Sequence, residues 1–192
     1  GEALMALGSK SSLLTDAQLL SAASQAEQAV RRTQQERQGV MKTTLVFLTI
    51  EDGQARWMHV GDSRLYHFRD GKLQTQTMDH SVSQMAVLMG DITPQEIRFH
   101  EDRNRVLRAL GGDNAKADLS PILVTVKEED VFLLCTDGFW EYVREPEMEQ
   151  TLAEAKNPDA WIRSMEKILL MQQPATYEVS MDLTTYVYHV GI

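Results

Sequence analysis

Apolar residues recur at helical spacing in some stretches of this chain and in short continuous or alternating runs in others, and these two textures predict its elements. Leu19, Ala23, Ala26 and Val30 share one face of a helix, which Thr15-x-x-Gln18 opens as a capping box and Gly39 closes. Residues 43–50 ("TTLVFLTI") and 55–60 ("ARWMHV") read as strands joined by a tight Asp52-Gly53 turn. Residues 64–77 repeat the device around Asp70-Gly71, so three or four consecutive antiparallel strands are expected to form a meander. Residues 79–112 have a different texture. Val82, Met85, Ala86 and Met89 predict a short packed helix stopped by Gly90, and "TPQE" opens a second with Pro94 at its first position. The five apolar residues 131–135 are too few for a helix and read as a strand buried on both faces. Pro146 and Asn157-Pro158 each open a helix, the second with Trp161, Ile162, Met165, Ile168 and Leu169 on one side. A β-rich run over 184–190 closes the chain. Together these elements predict one α+β domain over 1–192, with two sheets flanked by helices.

Composition narrows the setting. A chain of 192 residues with 43% hydrophobic and 24% charged residues has the make-up of an ordinary globular protein. No apolar run approaches the roughly 20 residues of a membrane span, and the N-terminus does not read as a signal peptide. The single cysteine, Cys135, lies within the apolar strand, so an internal disulfide is excluded. A buried reduced thiol fits a cytoplasmic protein. The net charge of −9 argues against nucleic acid or a membrane surface as partner, and it suits carboxylates gathered around cations.

Three aspartates share a setting: Asp62 in "HVGDSRLY", Asp137 in "LLCTDGFW" and Asp182 in "SMDLTTYVY" each adjoin a strand and a small or hydroxyl residue. Magnesium and manganese take about six hard oxygen ligands, a few of them carboxylates and the rest water. Carboxylates at the ends of different strands can meet although far apart in sequence. Gly61 and Gly138 are expected to permit turns and close backbone approach, including a carbonyl as ligand. Taken singly, each aspartate reads first as an ordinary turn residue, and only the three together favour a metal site.

The order of these motifs resembles the metal-dependent protein phosphatases of type 2C. "TTLVFLTI" is similar to the family's threonine-pair strand, "VGDSRLYHFRDGKL" to its Gly-Asp-Ser-Arg hairpin, and "MDHS" to its Asp-His-Ser motif. "RNRVLRALGG", "FLLCTDGFWEYV" and "MDLTTYVYHV" follow in the family's order. The resemblance implies a central antiparallel β-sandwich flanked by helices in four αββα layers. It also implies a centre of two to three Mg2+ or Mn2+ ions. Asp137 and Asp182 would ligate the binuclear pair, and Asp62 with Asp137 would hold a third ion. Phosphoserine and phosphothreonine in protein substrates would then be hydrolysed by a metal-bridging hydroxide. The phosphate-binding arginine, the general acid and further ligands would lie upstream of Gly1. Leu183 stands where the family carries asparagine.

Other residues receive plainer roles. His80 is expected to be a local hydrogen-bonding residue, Asp79 the N-cap of the helix that follows, and Arg64 a structural ion-pair partner. His100 has no assignment. Residues 82–111 are expected to form a flap-like insertion, with Arg103, Arg105 and Arg108 as its substrate-contact candidates or as a solvated basic face. Two competing functions are an inactive phosphatase-like binding module and a carboxylate-pair enzyme such as a glycosidase.

Overall fold

The computed structural model describes residues 14–172 and the strand at 185–189. These residues form two compact units, the first running to Asp62 and resuming over Asp79–Val126, the second covering Ser63–Met78 and Lys127 onward.

The first unit opens with α1 (Asp16–Arg37), where the Thr15 side chain and Gln18 form the expected capping box. The helix ends at Arg37, two residues before Gly39, with the C-cap Gln38 in the left-handed region at φ 50°. Strands β1 (Leu45–Glu51) and β2 (Gln54–Val60) pair antiparallel from Leu45–Val60 to Glu51–Gln54 around the Asp52-Gly53 turn. Two short strands, β5 (Asp118–Leu119) and β6 (Val124–Thr125), share the other edge of β2. Leu19, Ala22, Ala23, Met58, Val60 and Leu110 are the heart of this unit's core. The same unit holds α2 (Val82–Met89) and a 3-10 helix (Pro94–Phe99) that starts with the expected Thr93–Glu96 capping box.

The second unit is built on β3 (Arg64–Arg69), β4 (Lys72–Gln76), β7 (Val131–Cys135) and β8 (Thr185–His189), hydrogen-bonded in the order β4-β3-β7-β8 and antiparallel throughout. Helices α3 (Asp137–Trp140), α4 (Glu145–Glu154) and α5 (Pro158–Gln172) follow β7. Trp161, Met165 and Leu169 are the buried stripe of α5, as their spacing predicts. The Trp161 indole N–H donates to the Met148 carbonyl at 3.0 Å, and its ring meets Phe68 edge-on. No described helix is long and apolar enough to cross a membrane.

Three expectations need correction. The four early strands do not form one meander: β1–β2 and β3–β4 belong to different sheets, because β5 and β6 occupy the free edge of β2. Short β5 and β6 carry too little pattern to be seen in the sequence. In α2, Met85 and Met89 face solvent (42% and 71% exposed), while Ser83 and Gln84 are buried. The Ser83 hydroxyl hydrogen-bonds Ser81 at 3.0 Å, which turns the polar face of this helix inward. Asp79 is not the N-cap: Ser81 is, and its Oγ accepts from the Gln84 N–H at 3.2 Å.

A buried charge cluster fixes the N-terminal end of β7. Asp130 is fully buried and accepts two hydrogen bonds from Arg69, at 2.8 and 2.7 Å, and one from the Lys127 amide at 2.9 Å. Burial works to raise its carboxyl, but Arg69, Lys127 and His67 outweigh that and hold it below its ordinary 3.8. For His67, stacked on Phe132, burial dominates and lowers its pKa below 6.5 against the pull of Asp130. Both groups therefore lend stability at high pH. The His67 contribution is complete above 6.5 and is lost as pH falls through its lower folded value; that of Asp130 is complete above 3.8 and fades below it. Urea midpoints measured across this range should fall in two steps, and His67→Phe should remove the first. Asp130→Asn is expected to cost about 3–5 kcal/mol at neutral pH, since it leaves Arg69 without its buried partner.

Candidate metal centre

Asp137 owes its placement to β7. That strand has β3 on one edge and β8 on the other, and Val131, Phe132, Leu133 and Cys135 are all buried. A strand bonded on both edges and covered on both faces has little freedom at its end. The chain leaves it at Thr136 and turns directly into α3, with the Phe139 and Trp140 amides returning to the Thr136 carbonyl at 3.1 and 3.3 Å. Asp137 is half-buried at the first helical position, and its Oδ1 accepts from the Gly138 N–H at 2.8 Å. Gly138 lies inside this helical turn, so the unusual backbone bend expected of it is not used: the chain is already helical and is burying Phe139 and Trp140.

Asp62 sits in the first unit, at the end of β2. It is buried at 6% exposure, and the residue before it explains how the turn is made. Gly61 has φ +105°, and a Cβ there would lie 2.8 Å from the Thr44 Cβ and closer still to its Cγ2. Only glycine meets both conditions. Close backbone approach, expected at two glycines, is found at Gly61. Its carbonyl accepts from the His80 N–H at 3.0 Å, and its N–H donates to His80 Nδ1 at 3.1 Å. His80 thus bonds across the fold to Gly61 rather than locally.

Asp182 and Leu183 lie outside the described residues. The nearest described position is Thr185, paired with Cys135 across β7 and β8. Among the described residues no three His, Cys, Asp or Glu side chains gather closely enough to hold a metal. The donors themselves fit: Asp62 and Asp137 offer hard carboxylate oxygens, the type magnesium and manganese prefer.

Arg64 is the ion-pair residue expected, reinforced by an aromatic. Its guanidinium lies 3.5 Å from the centre of the Trp140 ring, donates to the Tyr66 hydroxyl at 3.1 Å and approaches Glu145 at 3.7 Å. Of the three flap candidates, Arg105 is exposed and pairs with Asp102, Arg103 is half-buried, and Arg108 donates to Asp118 Oδ1 at 2.9 Å. His100 closes a local turn by accepting from the Asp102 N–H at 3.1 Å. Asp118 drew no attention in the sequence, because β5, which carries it, spans two residues.

The family model described as "Protein phosphatase 2C" matches residues 1–186. The chain belongs to the protein phosphatase 2C family. It is 35% identical over 115 residues to the serine/threonine protein phosphatase PstP of Mycobacterium tuberculosis, which covers 60% of this chain and 21% of that protein. The serine/threonine phosphatase Stp of Listeria monocytogenes is 36% identical over 112 residues, 58% of this chain and 44% of its own length. The chain therefore spans less than half the length of these curated relatives. A solved catalytic domain of PstP in complex with two manganese ions superposes with TM-score 0.75 at 27% identity, covering 89% of this chain and 72% of that one. The α+β fold is that of the phosphatase 2C family.

Gly61 offers a direct check of the turn that carries Asp62. Gly61→Ala should lower stability by about 2–4 kcal/mol, through backbone strain and overlap with Thr44. Adding Thr44→Gly makes room for the methyl group but leaves φ unfavourable, so urea unfolding should show only partial recovery.

Proposed function

We propose that this chain is the greater part of a metal-dependent phosphatase domain that removes phosphate from serine and threonine side chains of other proteins. The observation that carries this reading is Asp137, a carboxylate fixed at the end of a doubly bonded core strand in a chain matched by the phosphatase 2C model over residues 1–186. Asp137 and Asp182 supply carboxylates to a pair of Mg2+ or Mn2+ ions, and Asp62 supplies one to a further ion. The register of β8 supports Asp182 in this role. Thr185 stands opposite Cys135, and the three Cα-to-Cα steps back from it to Asp182 reach at most about 11 Å. When bound, such cations lower the proton affinity of a water and neutralise the oxygens of a phosphoryl group under in-line attack. The chain's own contribution is to fix the carboxylates: β7 aims Asp137, and the Gly61 turn aims Asp62.

Residues 82–111, with α2, the 3-10 helix and Arg103 and Arg105, form a substrate-selecting flap in this reading. Arg108 is spent on Asp118 and contributes to the flap's anchorage.

Asp137→Asn in the full-length protein tests the assignment. The amide preserves size and one oxygen but loses the charge that offsets the cations. Turnover of an aryl phosphate should fall about 100-fold or more, the scale on which preorganised electrostatic groups act. The melting temperature without metal should stay level or rise, because carboxylates crowded without their cations repel one another. The rise in melting temperature with added manganese should shrink. An unchanged manganese response together with unchanged hydrolysis would return Asp137 to the role of a turn residue. Absence of any manganese response in the wild type would favour a binding module.

A further inference from the structure

His80 joins three segments of the first unit. Its backbone and ring both engage Gly61: the N–H of His80 donates to the Gly61 carbonyl at 3.0 Å, and Nδ1 accepts the Gly61 N–H at 3.1 Å. An Nδ1 that accepts carries no proton, so in the neutral ring the hydrogen is on Nε2. That Nε2–H donates to Asp118 Oδ2 at 3.0 Å, and the other oxygen, Oδ1, accepts from Arg108 Nη1 at 2.9 Å. Burial works to raise the Asp118 carboxyl, but His80 and Arg108 outweigh it and hold it ionised. The backbone of Asp118 is set by its pairing with His59 across β2 and β5, and the His59 ring stacks on His80 at 4.5 Å and 13°. The carbonyl of His80 accepts from the Leu107 N–H at 2.7 Å, so the same residue ties down the chain that closes the 82–111 segment.

We propose that His80 is a positioning residue for Asp62: its ring holds the Gly61–Asp62 turn in register, and Asp118 and Arg108 hold the ring. The reason lies in the turn itself. At φ +105° and without a side chain, Gly61 has the greatest backbone freedom of any residue at this position. Two hydrogen bonds to one residue remove that freedom just before a carboxylate whose direction matters. An imidazole suits the task because one nitrogen takes the Gly61 amide while the other, on the far side of a rigid ring, is anchored to Asp118. Loosening the ring would let Asp62 wander without disturbing the core around Met58 and Leu19. The inference rests on the reading of Asp62 as a metal ligand.

The test uses the full-length protein labelled with 15N, with His80→Phe, His80→Asn, Asp118→Ala and Asp62→Asn compared with the wild type. Two quantities are read: hydrogen exchange of the Gly61 amide against that of Met58, and the manganese concentration giving half-maximal thermal stabilisation. His80→Phe should speed Gly61 exchange at least tenfold, leave Met58 unchanged and raise the manganese midpoint several-fold. His80→Asn presents an oxygen where Nδ1 stood and should restore most of the Gly61 protection. Asp118→Ala changes a half-exposed side chain, should fold if His80→Phe does not, and should give an intermediate loss. Unchanged Gly61 exchange in both His80→Phe and Asp118→Ala overturns the proposal, as does an Asn variant no better than Phe. If Gly61 protection is lost and Asp62→Asn raises the manganese midpoint but His80→Phe does not, positioning is overturned. If Asp62→Asn leaves that midpoint untouched, the ligand reading of Asp62 fails and takes the metal half of the inference with it, while the Gly61 exchange still decides the clamp.

Discussion

Between Val60, the last residue of β2, and Arg64, the first of β3, the chain has three residues in which to leave one sheet and begin another. Gly61 is the residue that makes this possible, and it is doubly constrained: by a backbone angle of +105° and by the Thr44 side chain, which fills the space a Cβ would need. Any side chain would require both the turn and the start of β1 to move. The pairing of Thr43 with Leu110, the clamp from His80 and the burial of Asp62 all lie beside this approach. A sheet switch of this kind is costly to alter, which makes it a rigid place from which to present a carboxylate.

The second unit reaches the same end by other means. Here the rigidity comes from a strand flanked on both sides, with a charge cluster at its start and a carboxylate at its finish. Asp130 anchors β7 through Arg69, and Asp137 emerges from the opposite end into a single helical turn. Beneath that turn, Trp140 carries the guanidinium of Arg64 on its ring face, so the first residue of β3 and the last of α3 are joined. Arg64 and Asp62 stand two apart in the sequence but sit differently, one bracing a helix through Trp140 and the other buried in the turn after Gly61.

Much of this was legible in the sequence. The Asp-Gly turns, the capping boxes at Thr15 and Thr93, the buried stripe of α5 and the core strand at 131–135 all follow from local patterns that the fold obeys. Asp62 and Asp137 stood out because a charge beside an apolar strand needs a reason. What remained hidden was non-local. Nothing in "KADLSP" reveals that Asp118 meets His80, because a two-residue strand has no periodicity and the bond spans 38 positions. The inward-facing serine and glutamine of α2 contradict their own apolar pattern, since the hydroxyl of Ser83 finds its partner in Ser81. Partition of the hairpins between two sheets depends on which edge of β2 is already taken, and sequence alone carries no record of that.

The three tryptophans are divided between the units in a way that makes the protein its own reporter. Trp57 stands in β2 of the first unit, while Trp140 and Trp161 belong to the second, and all three are buried. Their surroundings differ chemically. Trp140 has a cation on its face, and Trp161 has its indole hydrogen bonded to a carbonyl and a threonine hydroxyl. Emission from an indole depends on the field across its ring and on contact with water. The fluorescence of the native chain is therefore a sum of spectrally distinct contributions. A Trp57→Phe chain would glow from the second unit alone, with one of its two emitters a single helical turn from Asp137.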